Sequence, residues 1–319
     1  MDSQGLRHRR LARRRATRRR RAAVLAAFAL VAVIVIVLVS GSGGASKVHG
    51  TPARSAQHPS GSASGPAAAS TSASASAGAP GTEPVPILMY HVIAPAPAGA
   101  PFPGLYVTPS EFAAQMQALK QAGWHAVTLD QVRAYWSRGA PLGPGKPIVL
   151  SFDNGYQSQY TQALPVLQKL GWVGDENVQL TGLPPSQGGL GQTQIRGLIA
   201  AGWELDTQGI SHANLIALDA QQLHYQVAVA RSLLQQRFHV PVNWFCYPSG
   251  HYDANVIAAV KAAGYEGSTT VVPGWAHPAD DPYRLHRLRV PGGTSPRELL
   301  SQIAGIRNEP PAPATYSGA

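Results

Sequence analysis

The stretch Ile148-Val149-Leu150-Ser151-Phe152-Asp153-Asn154-Gly155 decides the fold. A short run of apolar and small residues that ends at Gly reads as a buried strand that stops abruptly. Side chains just past the C-terminal end of such a strand face the mouth of an α/β fold, where these folds keep their chemistry. Asp153 and Asn154 are therefore the first candidate site residues. The plainer reading makes Asp-Asn-Gly a turn only, since these residues favour turns for local backbone reasons.

Outward from this strand, strand-like and helical stretches alternate. Strands are predicted at Val85–Val92, His125–Leu129, Asn177–Thr181, Trp203–Asp206, Val242–Tyr247, Gly267–Val271 and Leu285–Val290. Thr108-Pro-Ser-Glu111 and Ser295-Pro-Arg-Glu298 read as capping boxes with Pro at the first helical position. Asp219-Ala-Gln-Gln222 opens a long helix to about Phe238, and Asp253 caps another. A helix also runs from about Ser158 to Leu170. This alternation implies parallel pairing. The fold class is α/β, a distorted (β/α) barrel of seven or eight parallel strands, with a doubly wound open sheet as the alternative. No Gly-rich phosphate loop follows the first strand.

The formal charge of +10 is mostly local. Residues 1–21 hold ten Arg and one acid, Asp2, for +9; the other 16 Lys or Arg and 15 Asp or Glu leave +1. The basicity reports a tail, not a nucleic-acid-binding domain, and no nucleic-acid partner is expected. Ala22–Val39 is 18 residues with no polar side chain, near the lower limit for a membrane-crossing helix. Arg before it predicts a cytoplasmic N-terminus. The expected arrangement is a single-pass signal anchor in the plasma membrane, with a cleaved signal peptide as the alternative. Either way the rest of the chain lies outside the cytoplasm. Residues 40–83, rich in Ser, Ala, Gly and Pro, read as a disordered linker. Residues 84–308 form the folded domain, and 309–319 a disordered tail. A single cysteine, Cys246, allows no intrachain disulfide.

Two more predicted strand ends carry polar residues, Asp206-Thr-Gln-Gly-Ile-Ser-His212 and Phe245-Cys-Tyr-Pro-Ser-Gly250. On a barrel these converge with Asp153 and Asn154 at one rim. His91 ends the first strand and is a candidate ligand contact, against the plainer reading of a structural histidine. Trp203, Trp244 and Trp275 are candidates for stacking on sugar rings, although large aromatics more often lie in cores.

Taken in order, these segments resemble the polysaccharide deacetylases, the NodB-homology or carbohydrate esterase family 4 domain, over about residues 84–307. Pro86-Ile-Leu-Met-Tyr-His91 is similar to the family's opening strand, and Ser151-Phe-Asp-Asn-Gly155 to its first motif, Thr/Ser-Phe-Asp-Asp-Gly. Gln208-Gly-Ile-Ser-His212 sits where the family has His-Ser/Thr-x-x-His, and Phe245–Gly250 resembles the third motif. Asp281-Pro-Tyr-Arg-Leu-His-Arg-Leu-Arg-Val290 resembles a late segment of wall-associated members.

The resemblance implies metal-dependent hydrolysis of acetyl groups on peptidoglycan or another acetylated surface polysaccharide. Asp153 corresponds to the general base. His212, Asn154 and Gln208 occupy the positions of the divalent metal ligands, commonly for zinc. Tyr247, Pro248, Ser249 and Gly250 would form the substrate-binding third motif, with His91 and Asp206 beside it and His286 as the late acid. Two ligand positions depart from the family: Asn154 lacks a carboxylate's charge, and Gln208 lacks an imidazole nitrogen. Amide oxygens suit hard cations better than zinc. The motif-three Arg is Cys246 here. The departures leave a catalytically inactive glycan-binding or scaffold protein as the alternative to an enzyme.

Overall fold

A computed structural model describes residues 78–183 and 188–318. The basic tail, the apolar segment 22–39 and linker residues 40–77 lie outside the described residues. Among those described, no helix is long and apolar enough to cross a membrane.

Strand β5 (Lys146–Asn154) is the spine, and its alternation sorts the core. It pairs in parallel with β1 (Ile87–Tyr90), β4 (Trp124–Val127) and β6 (Asp175–Val178). Next to β6 come β7 (Glu204–Thr207), β8 (Trp244–Cys246) and β9 (Gly267–Thr269), while β10 (Leu288–Arg289) lies beyond β1; β2 (Val92–Ile93) and β3 (Tyr106–Val107) form a separate two-stranded parallel sheet. Every pair is parallel, as the alternating sequence pattern predicts. The sheet curls so that Leu285, just before β10, bridges Thr269 at the end of β9. The result is a parallel α/β partial barrel. The helices are α1 (Pro109–Gln121), α2 (Leu129–Arg138), α3 (Leu164–Leu170), α4 (Gln192–Ala200), α5 (Ala220–His224), α6 (Ala230–Phe238), α7 (Ala254–Ala262) and α8 (Pro296–Gly305).

Successive strand residues face opposite sides. Leu88, Tyr90, Leu150 and Phe152 therefore point to the helical layer, where they share one core with residues of α1, α3 and α8. Phe152 stacks on Tyr90 at 5.7 Å and lies 4.8 Å from the Trp203 ring. The opposite, inner face is apolar where β5 begins, with Ile87 and Val149 packed on Trp244. It turns polar at Ser151 and Asp153, nearer the strand's C-terminal end.

Local signals explain the helix starts. Thr108 and Glu111 cap α1 reciprocally, and Thr128 and Gln131 do the same for α2. At α8 only half of the expected box forms: Ser295 accepts from the Glu298 N–H, while the Glu298 side chain takes a hydrogen bond from Gln302.

Four expectations need correction. The strand predicted at Asn177–Thr181 is β6, Asp175–Val178, because its inner face is polar and hides it. Strand β5 runs through Asp153 and Asn154, which the sequence reading places just past its end. Residues 309–318 are not a free tail: Tyr316 bridges Tyr252 and the Tyr252 hydroxyl donates to the Pro313 carbonyl at 2.8 Å. Trp203, Trp244 and Trp275 are buried in the core and do not offer stacking faces.

Candidate rim site

The C-terminal ends of β5 and β7, and the turn after β8, surround a cleft of about 650 Å³. Asn154 (φ 79°), His212 (φ 53°) and Ser249 (φ 54°) line it, and all three adopt the left-handed backbone region. That conformation costs a non-glycine residue free energy and tends to mark functional sites. Both sequence readings of Asp-Asn-Gly hold at once, because the turn, with Gly155 at φ 84°, is what aims Asn154 into the cleft.

Asp153 lies at the base of the cleft, almost wholly buried. Arg287 grips it with two hydrogen bonds of 2.7 and 2.9 Å. The same guanidinium donates to Ser151 Oγ, Cys246 Sγ and the Thr270 carbonyl, so its five N–H groups are all engaged. Asn177 Nδ2 donates to Asp153 Oδ1 at 2.9 Å. Burial alone would raise the Asp153 pKa, but Arg287, aided by His91 and these donors, holds it at about 2. Asp153 is thus a fixed anion with its charge balanced inside the protein.

His91 Nε2 stands 3.8 Å from Asp153 Oδ2. Burial lowers its pKa to about 4 against the pull of Asp153, so near neutral pH the imidazole carries no charge. Burial likewise lowers the pKa of His212.

Asn154 and Gln208, at the implied metal positions, are tied into an amide chain whose orientation is fixed by one carbonyl. Gln179 donates Nε2 to the Thr181 carbonyl at 2.6 Å, so its oxygen must face Asn154, which donates Nδ2 to it at 2.8 Å. The backbone N–H of Asn154 donates to Gln208 Oε1 at 2.9 Å. On these two cleft-lining residues the amide groups outside the chain are Asn154 Oδ1, an acceptor, and Gln208 Nε2, a donor. A neutral amide nitrogen is no metal ligand, and the Gln208 oxygen already accepts from the Asn154 N–H. His212 and neutral amide oxygens, which suit zinc poorly, are what remain of the three-ligand set that catalytic zinc ordinarily takes. The residues present do not fit the metal.

Other sequence candidates divide. Tyr247 and Ser249 line the cleft; Pro248 and Gly250 shape the turn behind them. Asp206 is buried below the cleft and accepts from the Trp244 N–H. His286 is buried and turned to the Pro273 carbonyl at 2.9 Å, so the late segment delivers Arg287 to Asp153 instead. Sequence reasoning missed that arginine, although Cys246 in place of the motif-three Arg was a hint that Asp153 needed another cation. It also missed Phe102, which lines the cleft and is 68% exposed.

Residues 142–268 match the family model described as polysaccharide deacetylase. YxkH of Bacillus subtilis (strain 168), named for the same family, is 29% identical over 226 residues, covering 70% of this chain and 77% of that protein. The Streptococcus pyogenes deacetylase PplD, solved in complex with acetate, aligns at TM-score 0.63 and 26% identity over 70% of this chain and 99% of its own. A shorter match joins 58 residues, 18% of this chain, at 43% identity to 8% of the poly-beta-1,6-N-acetyl-D-glucosamine N-deacetylase of Escherichia coli (strain K12).

Proposed function

We propose that the rim cleft of this domain, which matches the polysaccharide deacetylase model over residues 142–268, recognises N-acetylated cell-wall or surface glycan without metal-assisted hydrolysis. One observation carries the reading: the amide chain leaves an acceptor, Asn154 Oδ1, beside a donor, Gln208 Nε2, where the implied metal would sit. An acetamido group offers the complement, an N–H donor and a C=O acceptor. An O-acetyl ester lacks the donor, so the pair selects N-acetyl sugars.

Three features support the same reading. The exposed Phe102 ring is available to a sugar face. Asp153, clamped by Arg287, is a weak base for activating water, since general bases work best with a pKa near the operating pH. The His91 and His212 imidazoles are uncharged near neutral pH and can hydrogen-bond hydroxyl groups. On this reading residues 22–39 tether the domain to the plasma membrane and residues 40–83 extend it toward the wall.

The test uses the full-length chain in detergent with N-acetylglucosamine oligomers and their de-N-acetylated counterparts. Calorimetry should show at least tenfold tighter binding of the acetylated oligomer, and acetate release should stay at background with or without added zinc. Zinc-dependent acetate release that His212→Ala abolishes would overturn the reading in favour of a hydrolase.

A further inference from the structure

The N-terminal ends of β6, β7 and β8 enclose a second polar centre, outside the rim cleft. Asp175, Glu204 and Asp206 offer carboxylate oxygens within 4.8 Å of one another. Each carboxylate has one oxygen anchored by a backbone N–H. Leu129 donates to Asp175 Oδ2 at 3.0 Å, Asp130 to Glu204 Oε2 at 2.9 Å, and Trp244 to Asp206 Oδ1 at 2.9 Å. The second oxygens, Asp175 Oδ1, Glu204 Oε1 and Asp206 Oδ2, are buried without a backbone donor; Glu204 and Asp206 lie close enough to share a proton, and the Thr128 hydroxyl reaches Glu204. Asp175 and Asp206 are wholly buried.

A further observation does not involve an acid. The Asn177 amide oxygen is also buried without a partner. Asn177 stands between Asp153 on β5 and Asp206 on β7, in register with both. Its Nδ2 is turned to Asp153, which directs the oxygen away from β5.

Among the described residues no Lys or Arg forms an ion pair with any of these carboxylates. Buried carboxylates need a donor, a counter-charge or a proton. Burial and mutual repulsion raise the pKa of all three carboxyls, so without a cation they hold protons; the anchoring N–H groups, in part from the first turn of α2, oppose this and favour the ionised form that a cation would need. The oxygens left over are all hard donors, with no imidazole or thiolate among them.

We propose that Asp175, Glu204 and Asp206, with the Asn177 carbonyl, bind a hard divalent cation that ties β6 and β7 to the start of α2. The site is structural, since Asp175 and Asp206 are wholly buried.

The probe is Ca²⁺ or Mn²⁺, each alone, added to the full-length chain after stripping with chelator. About one ion should remain per chain after gel filtration, with a melting temperature about 3–6 °C above the chelated protein. Asp175→Asn and Asp206→Asn should lose both effects, and His212→Ala should keep them. Failure of the wild-type chain to retain either ion or to melt differently in chelator overturns the proposal; the carboxyls then share protons. That outcome is read on the wild-type chain and needs no variant to fold. An ion lost with His212→Ala and kept with Asp206→Asn would place it at the rim and overturn the proposal equally.

Discussion

The rim and the floor of this barrel solve the same problem in opposite ways. Both place polar groups on the inner face of a parallel sheet. At the rim the buried charge has its partner: Asp153 is clamped by Arg287, and Asn154, Gln179 and Gln208 are hydrogen-bonded to each other. At the floor three carboxylates crowd together and, among the described residues, form no ion pair with Lys or Arg. The position that the resemblance implies for a metal thus offers neutral amides, while an unassigned position offers carboxylates. Motif position alone is therefore a poor guide to where a cation goes, and the accounting of donors and acceptors is a better one.

The contrast breaks most sharply at Arg287. Arg287→Met leaves the buried Asp153 without its partner and should destabilise the fold by about 3–5 kcal/mol in urea denaturation. Adding Asp153→Asn to that variant should recover most of the loss, because the stranded charge is then gone. If Arg287→Met alone is as stable as the parent chain, the rim is not charge-balanced in this way.

Titration separates the two regions by sign. Burial, reinforced by Asp130, raises the Glu204 pKa from 4.5 to about 7. Between those values the folded chain holds a proton that the unfolded chain has released. In chelator, the floor should therefore lose stability as pH rises from about 5 to about 8. His91 acts in reverse, with its pKa lowered from 6.5 to about 4 by burial. Its contribution is complete above pH 6.5 and is lost as pH falls toward 4, since the unfolded chain then takes up a proton that the folded chain refuses. Melting temperatures across this range should show Glu204→Gln reducing the first slope, which Asp175 and Asp206 share, and His91→Gln removing the second. A slope unchanged by its own substitution belongs to some other group.

The smallest effect should come from Phe102→Ala. Loss of one exposed stacking face should weaken binding of an N-acetylated oligomer by about 0.5–1.5 kcal/mol, roughly two- to tenfold, and leave the melting temperature unchanged. Unchanged affinity would remove Phe102 from the site.

The sequence makes most of the architecture legible, for identifiable reasons. Ile148–Phe152 is an unbroken apolar and small run, and Thr108, Asp219 and Asp253 are helix starts with their own side-chain acceptors. Strand β6 is harder to see, because Asp175-Glu176-Asn177 resembles a solvated loop until the barrel's inner polar face is known. The candidate site is legible in part. Asp153, Asn154, Gln208 and His212 do meet, since each lies at or just past the C-terminal end of a strand. Arg287 stays hidden because it lies one residue from His286 and 134 residues from the aspartate it holds, a separation only the curled sheet closes. Gln179 escapes notice for a related reason, as it acts only by fixing which way the Asn154 amide faces.

A rim satisfied by its own amides is tested most directly by zinc binding to the full-length chain, compared with an Asn154→Asp, Gln208→His double variant and with His212→Ala. No zinc is expected at the rim of the wild-type chain, and about one His212-dependent zinc in the double variant. One zinc per wild-type chain, lost on His212→Ala, would contradict a metal-free rim.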